Sequence, residues 1–208
     1  TAHVPYGDKD DEYIRRRMLC IGTFLVEQGC RMIVVACNTA TAAAVAAFRE
    51  SFPLIPVVGV EPGVKPAAAA TRSGRIAVLA TVSTARSQRL AQLIERHAGD
   101  VEVDVEACPG WATRVEGLQI DDPVFSEEAR GHVEPLLAKG ADHIVLGCTH
   151  YAFLRPLLET IVGQRAQLVD VADAVARQCA RLAGPAAYGN GRLSLLATAH
   201  PERLQSAL

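Results

Sequence analysis

At 208 residues the chain is long enough for one large or two small domains, and with half of it hydrophobic and 21% charged it is not a disordered chain. A net charge of −2 argues against a general nucleic-acid-binding surface. No apolar run approaches the roughly 20 residues of a membrane span and no secretory signal opens the chain, so no membrane partner is expected and the cytoplasm is the expected location.

The opening, Thr1 to Asp10, is polar and rich in turn formers, with Pro5-Tyr6-Gly7 a compact turn that presents backbone N–H groups and a phenol. Ile14, Met18, Ile21 and Leu25 are spaced as on one face of a helix, which predicts an amphipathic helix over 11–28 closed by Gly29. The Arg15-Arg16-Arg17 run on it reads as a solvated helix face. A buried strand then ends at Cys37, and an alanine-rich helix follows from Ala40 to about Glu50. Leu54 to Val60 reads as a strand and Glu61-Pro62-Gly63 as a crossing between domains. Further on come a helix over 64–71, a strand over 76–80, a hydroxyl-rich loop at Thr81 to Thr84 and a helix over 85–97. Alternating valines at 101, 103 and 105 predict a strand exposed on one face. Next are a helical stretch carrying Glu116, a helix over 127–139, a strand ending at Cys148, a helix over 153–162, a strand over 168–171 and a helix over 172–182. A last strand is expected over 193–198. Strands alternating with helices predict an α/β fold with mainly parallel sheets and flanking helices.

One phrase occurs twice. Ile33-Val34-Val35-Ala36-Cys37-Asn38-Thr39 returns as Ile144-Val145-Leu146-Gly147-Cys148-Thr149-His150, and the offset of 111 also relates Gly29 to Gly140. A period that long predicts two similar lobes with an active site in the cleft between them. The carboxyl ends of parallel strands are where ligands sit, so both thiols are placed for chemistry, and the dipole of the helix after each is expected to lower its pKa. Most free cysteines are small packing residues. Here, however, each strand ends in polar side chains, Asn38-Thr39 and Thr149-His150, which a buried strand end does not need unless something polar binds there.

The other four cysteines, at 20, 30, 108 and 179, rank below this pair. There is no C-x-x-C spacing and no further ligand cluster beside Cys148 and His150, so no metal is expected. Two thiols on opposite faces of a carbon acid can invert it without a cofactor, one removing the α-proton as thiolate and the other returning a proton from the far side. The weak acidity of that proton requires donors around the developing charge, for which Asn38, Thr39, Thr81 and Thr149 are candidates. His150, two residues from Cys148, is placed to move its proton. His143, in the preceding strand, has no such neighbour.

Taken together, Pro5-Tyr6-Gly7, Ala36 to Thr41 (Ala-Cys-Asn-Thr-Ala-Thr), Val58 to Ala67 (Val-Gly-Val-Glu-Pro-Gly-Val-Lys-Pro-Ala) and Leu146 to Tyr151 (Leu-Gly-Cys-Thr-His-Tyr) resemble, in order and over nearly the whole chain, the bacterial glutamate racemases. The resemblance implies interconversion of L- and D-glutamate without pyridoxal phosphate or any other cofactor, supplying D-glutamate for peptidoglycan. By position, Cys37 resembles the base acting on D-glutamate and Cys148 the one acting on L-glutamate. Tyr6, Gly7, Asn38, Thr39, Thr149 and His150 resemble the substrate contacts, and Glu116 a carboxylate that assists the second cysteine. It also implies a first lobe of residues 1–62 plus 172–208 and a second of 63–171, and it is compatible with a homodimer.

Two departures stand out. Ala152 occupies a position where the family usually has proline. The family's opening strand, Asp-Ser-Gly-x-Gly-Gly loop and helix have no counterpart before Thr1, so the chain reads as shortened at its N-terminus, with an unpaired edge on the first sheet. The readings carried alongside are a related aspartate or hydantoin racemase, against which His150 speaks, and an inactive fragment that only binds.

Overall fold

The protein is described here by a computed structural model covering residues 2–184 and 191–202. Helix α1 spans Asp11–Glu27; the Asp10 carboxylate accepts from the Tyr13 amide at 2.7 Å, and Asp11 and Glu12 sit favourably in the first turn. Gly29, at a φ of +82°, turns the chain out of it. Strand β1 (Ile33–Val35), helix α2 (Asn38–Ser51) and strand β2 (Val57–Gly59) follow, with β1 and β2 paired in parallel. Ile33, Val35 and Val57 face α1 and α2 and form a core with Ile14, Val45 and Phe48. Val34 points the other way and is 40% exposed, so β1 is buried on one face only. This corrects the expectation of a strand buried throughout. Its helical cover lies on one side, and the period of two turns every second side chain away from it.

The second sheet has four parallel strands in the order β4-β3-β5-β6, from β3 (Arg75–Ala80), β4 (Glu102–Ala107), β5 (His143–Leu146) and β6 (Gln167–Val169). Both of its faces are covered. Ile76, Val78 and Ala80 pack with Val64, Ala67 and Leu90 of α3 (Val64–Ala70) and α5 (Gln88–His97). Ala77 and Leu79 pack on the other face, beneath α6 (Trp111–Glu116), α7 (Pro123–Ala138) and α8 (Arg155–Val162). Parallel strands covered on both faces carry near-continuous apolar runs, and all four residues of β5 are buried. Helix α9 (Ala172–Ala183) returns to contact β2.

Several elements differ from expectation. Thr81 to Thr84 is not a loop: the Thr81 hydroxyl caps the short α4 (Val82–Arg86), and Ser87 then caps α5, splitting the helix expected over 85–97. After Cys148 the chain runs through a 3-10 turn at Thr149–Leu154 before α8, whose start is favoured by Pro156 in its first turn. The strand expected over 54–60 shortens to Val57–Gly59, since Pro53 and Pro56 have no amide to give a ladder. No strand forms over 193–198: among the described residues no strand pairs with this segment, whose Thr198 hydroxyl instead accepts the Ala2 amide at 3.0 Å, and Leu193 and Leu196 are exposed. Around the second cysteine the backbone is tightly fitted. A Cβ on Gly147 would lie 2.6 Å from the Leu79 carbonyl oxygen, which also accepts the Gly147 amide at 2.7 Å. Gly147→Ala is therefore expected to destabilise the fold by about 2 kcal/mol, read as a lower urea midpoint; an unchanged midpoint would contradict this close fit.

Candidate active site

Both cysteines take the same local conformation. Cys37 (φ −153°, ψ 124°) and Cys148 (φ −138°, ψ 135°) are extended residues at the turn from a parallel strand into a helical segment. The Cys37 sulfur accepts the Ala40 amide at 3.5 Å, as an N-cap would. Cys148 makes no side-chain cap but lies 3.7 Å from Nδ1 of His150, whose Nε2 is 2.7 Å from Oε1 of Glu116. Because the carboxylate takes the proton on Nε2, Nδ1 is the free acceptor facing the thiol. Cys148, His150 and Glu116, separated by up to 34 positions, thus stand in one hydrogen-bonded line.

The remaining candidates gather where the two sheets meet. The Thr39 hydroxyl, at the start of α2, is 3.0 Å from that of Thr81 and 3.1 Å from that of Thr84, and the latter two are 3.1 Å apart. All three are buried. Thr149 donates to the Ala36 carbonyl at 3.3 Å, tying the end of β5 to that of β1. Ser83 donates its amide to the Gly7 carbonyl at 3.3 Å, and a Cβ on Gly7 would lie 3.0 Å from that of Thr81. Tyr6 packs on the same core as Cys37. Asn38 is buried with its Oδ1 unpartnered among the described residues, at the wall of a narrow cleft that also touches Thr84 and Arg89. A second narrow cleft is lined by Gly7, Asp8, Thr81 and Cys108 among others. Neither Cys37 nor Cys148 lines either of these two clefts. Among the described residues no group of three or more His, Cys, Asp or Glu could hold a metal ion, and no helix is long and apolar enough to cross a membrane.

Sequence reasoning missed Thr84 and Arg17. The signal for Thr84 was its position three residues after Thr81, the spacing of a helix cap. Arg17 was hidden in a run read as a solvated face; only Arg16 of the three is exposed, and the Arg17 Nε is buried.

The thiols do not follow the expected downward shift. Burial pushes Cys37 up, and the Ala40 and Thr39 groups only partly oppose it. Burial likewise pushes Cys148 up to about 12, with the His150 and Tyr151 amides opposing and the nearby Cys37 sulfur adding to the rise. Desolvation outweighs the dipole because each sulfur meets only one or two helix-end amides, while Cys148 is buried and Cys37 half-buried.

The sequence profile of the family described as Asp/Glu/Hydantoin racemase matches residues 6–179. A glutamate racemase from Ectopseudomonas mendocina is 52% identical over 88% of this chain and 70% of its own length. One from Pseudomonas putida is 47% identical over 100% of this chain and 80% of its own length. Among solved structures, Escherichia coli glutamate racemase in complex with L-glutamate and the activator UDP-MurNAc-Ala superposes with a TM-score of 0.78 at 34% identity, covering 86% of this chain and 68% of that one. A Bacillus anthracis glutamate racemase superposes with a TM-score of 0.79 at 30% identity, covering 88% and 69%.

The raised thiols make stability depend on pH. With a folded pKa of about 12 against an ordinary 9.0, Cys148 stays neutral in the fold while the unfolded chain ionises first. Its contribution is complete below pH 9.0 and is lost as pH rises toward 12. Urea unfolding between these limits should lose stability with a slope of about 1.4 kcal/mol per pH unit for each such thiol, and Cys148→Ala should remove one thiol's share. An unchanged slope in the variant would contradict the burial argument.

Proposed function

Because the chain belongs to the aspartate/glutamate/hydantoin racemase family, and is an amino-acid racemase by that membership, we propose that it interconverts L- and D-glutamate by proton transfer between two thiols, without a cofactor. The observation that carries this reading is the pair of equivalent strand ends: Cys37 and Cys148 share one backbone conformation, the Cys37 sulfur lies near enough to weigh on the charge of Cys148, and Cys148 is backed by His150 and Glu116.

In the proposed reaction the Cys37 thiolate takes the α-proton of D-glutamate while the Cys148 thiol gives a proton to the opposite face, leaving L-glutamate. In the reverse reaction the Cys148 thiolate takes the α-proton of L-glutamate and the Cys37 thiol returns one to the opposite face; where Cys148 enters as a neutral thiol, His150 Nδ1 accepts its proton first. Thiols pushed up by burial need help to ionise. The substrate's own ammonium supplies it, since a cation beside a thiolate lowers its cost. The hydroxyls of Thr39, Thr81, Thr84 and Thr149, now paired with one another or with a carbonyl, would exchange these partners for the substrate carboxylates. Tyr6, the Gly7 backbone and Asn38 complete the proposed contacts. The lobes would be 1–62 with 172–208, and 63–171. The product D-glutamate would serve peptidoglycan synthesis in the cytoplasm.

His150 favours glutamate over aspartate as the substrate. Polarimetry on L-glutamate and L-aspartate side by side should show turnover of glutamate and little of aspartate; the opposite preference would overturn the assignment. Cys37→Ser and Cys148→Ser should each lower racemisation by about 10²–10⁴-fold with the far-UV spectrum unchanged. Normal racemisation by either variant would exclude the two-thiol mechanism.

A further inference from the structure

His150 can accept from Cys148 only while the proton on its other nitrogen is held. That proton goes to the Glu116 carboxylate at 2.7 Å, but 43% of the Glu116 side chain is exposed, and a pair made by so exposed a side chain holds little by itself. Its geometry must be fixed by the backbone that carries it. That backbone is α6, a helix of six residues, well short of the roughly 12–15 that persist alone in water. Trp111 anchors its start: the indole is fully buried and packs edge-on against Tyr151 and Phe125, with ring centroids 5.3 and 5.7 Å apart. The other end, which carries Glu116, runs into a turn where Leu118 takes a left-handed φ of +53° with its side chain exposed. Such a conformation is strained for a leucine, and burial of that side chain does not offset it.

Arg114, in the last turn of α6, spans this turn. Its Nη1 donates to Asp122 at 3.3 Å and its Nη2 to Glu128 at 3.4 Å, and its guanidinium lies 5.1 Å from the centre of the Phe125 ring. Asp122 caps α7, and Phe125 and Glu128 lie on its first turns, so one side chain joins the end of α6 to the start of α7. The Arg114 carbonyl also accepts the Gln119 amide at 2.9 Å, closing the turn from within. A planar guanidinium suits two carboxylates and a ring face at once, and a cation in the last turn suits the helix dipole. We propose that Arg114 is a positioning residue for the Cys148 half of the reaction: its clasp on α7 fixes the end of α6 and so keeps the Glu116 carboxylate on Nε2 of His150. The inference rests on the two-thiol reading above. Arg165 offers a comparison, since it clasps Glu134 at 2.7 and 2.8 Å toward the other end of α7 and makes no hydrogen bond to α6 among the described residues.

The test reads the His150 ring proton by NMR of the full chain. An imidazole N–H held by a carboxylate exchanges slowly with water and gives a resonance downfield of the amides, which His150→Asn identifies by its loss. Glu116→Ala and Arg114→Met should each abolish that resonance, while Arg165→Met should leave it in place. Asp122→Asn combined with Glu128→Gln, which keeps a capping side chain on α7, carries the same expectation should Arg114→Met fail to fold. Racemisation gives a second readout: Arg114→Met should lower kcat/KM about tenfold, equally from L- and D-glutamate, and should lower it no further in a chain that already carries Glu116→Ala. A resonance that persists in Arg114→Met, one that is missing from the unsubstituted chain, an equal loss in Arg165→Met, or additive losses of rate would overturn the proposal. A chain with no racemisation that loses the resonance as stated would retire the two-thiol reading and keep the role of Arg114. A chain that racemises and keeps the resonance in Arg114→Met would do the reverse.

Discussion

The cost of burying a thiol at the end of a parallel strand governs the arrangement of this molecule. A sulfur in that position is withdrawn from water, and its charged form becomes expensive; both Cys37 and Cys148 are pushed up for this reason, Cys148 to about 12. The surroundings can be read as a means of making ionisation affordable only when a substrate is present. Around Cys148 this takes the form of an imidazole and a carboxylate in line, with the sulfur 3.7 Å from His150 and His150 2.7 Å from Glu116. A free thiol held neutral is also protected from adventitious oxidation, which proceeds through the thiolate.

The two sheets contribute unequally to holding these sulfurs. β5 lies inside a four-stranded sheet with helices on both faces, so Cys148 ends a strand with little freedom to move. The fit of Gly147 against Leu79 and the donation of the Tyr151 hydroxyl to the Cys108 carbonyl at 3.2 Å fix the chain on either side of it. Among the described residues β1 pairs only with β2 and packs on one face. Its position relative to the second sheet depends on a few polar contacts: Thr149 on the Ala36 carbonyl, Thr39 on Thr81 and Thr84, and Ser83 on Gly7. The groups that tie the halves together are thus the groups proposed to hold substrate, which couples binding to the relative position of the sheets.

Much of this was legible in the sequence because it depends on local rules. The helical spacing of Ile14, Met18 and Leu25, the apolar run at 143–146 and the alternation at 101–105 each specify an element by periodicity, and each element formed. The equivalence of Cys37 and Cys148 was visible as a repeated phrase and appears in the structure as a shared backbone conformation. What escaped was set by contacts between distant residues. The role of Thr84 depends on Thr39, 45 positions earlier. The direction of the thiol shifts escaped for the same reason: the helix after each cysteine can be read from the sequence, but the water lost around its sulfur cannot. The leucine-rich segment at 193–198 has no partner strand among the described residues to convert it into a ladder.

The most direct measurement of the central claim is a crystal structure of the chain with glutamate bound. The account predicts the Cys37 and Cys148 sulfurs on opposite faces of the substrate's α-carbon, each within about 4 Å of it. Both sulfurs on one face, or one of them out of contact, would contradict it.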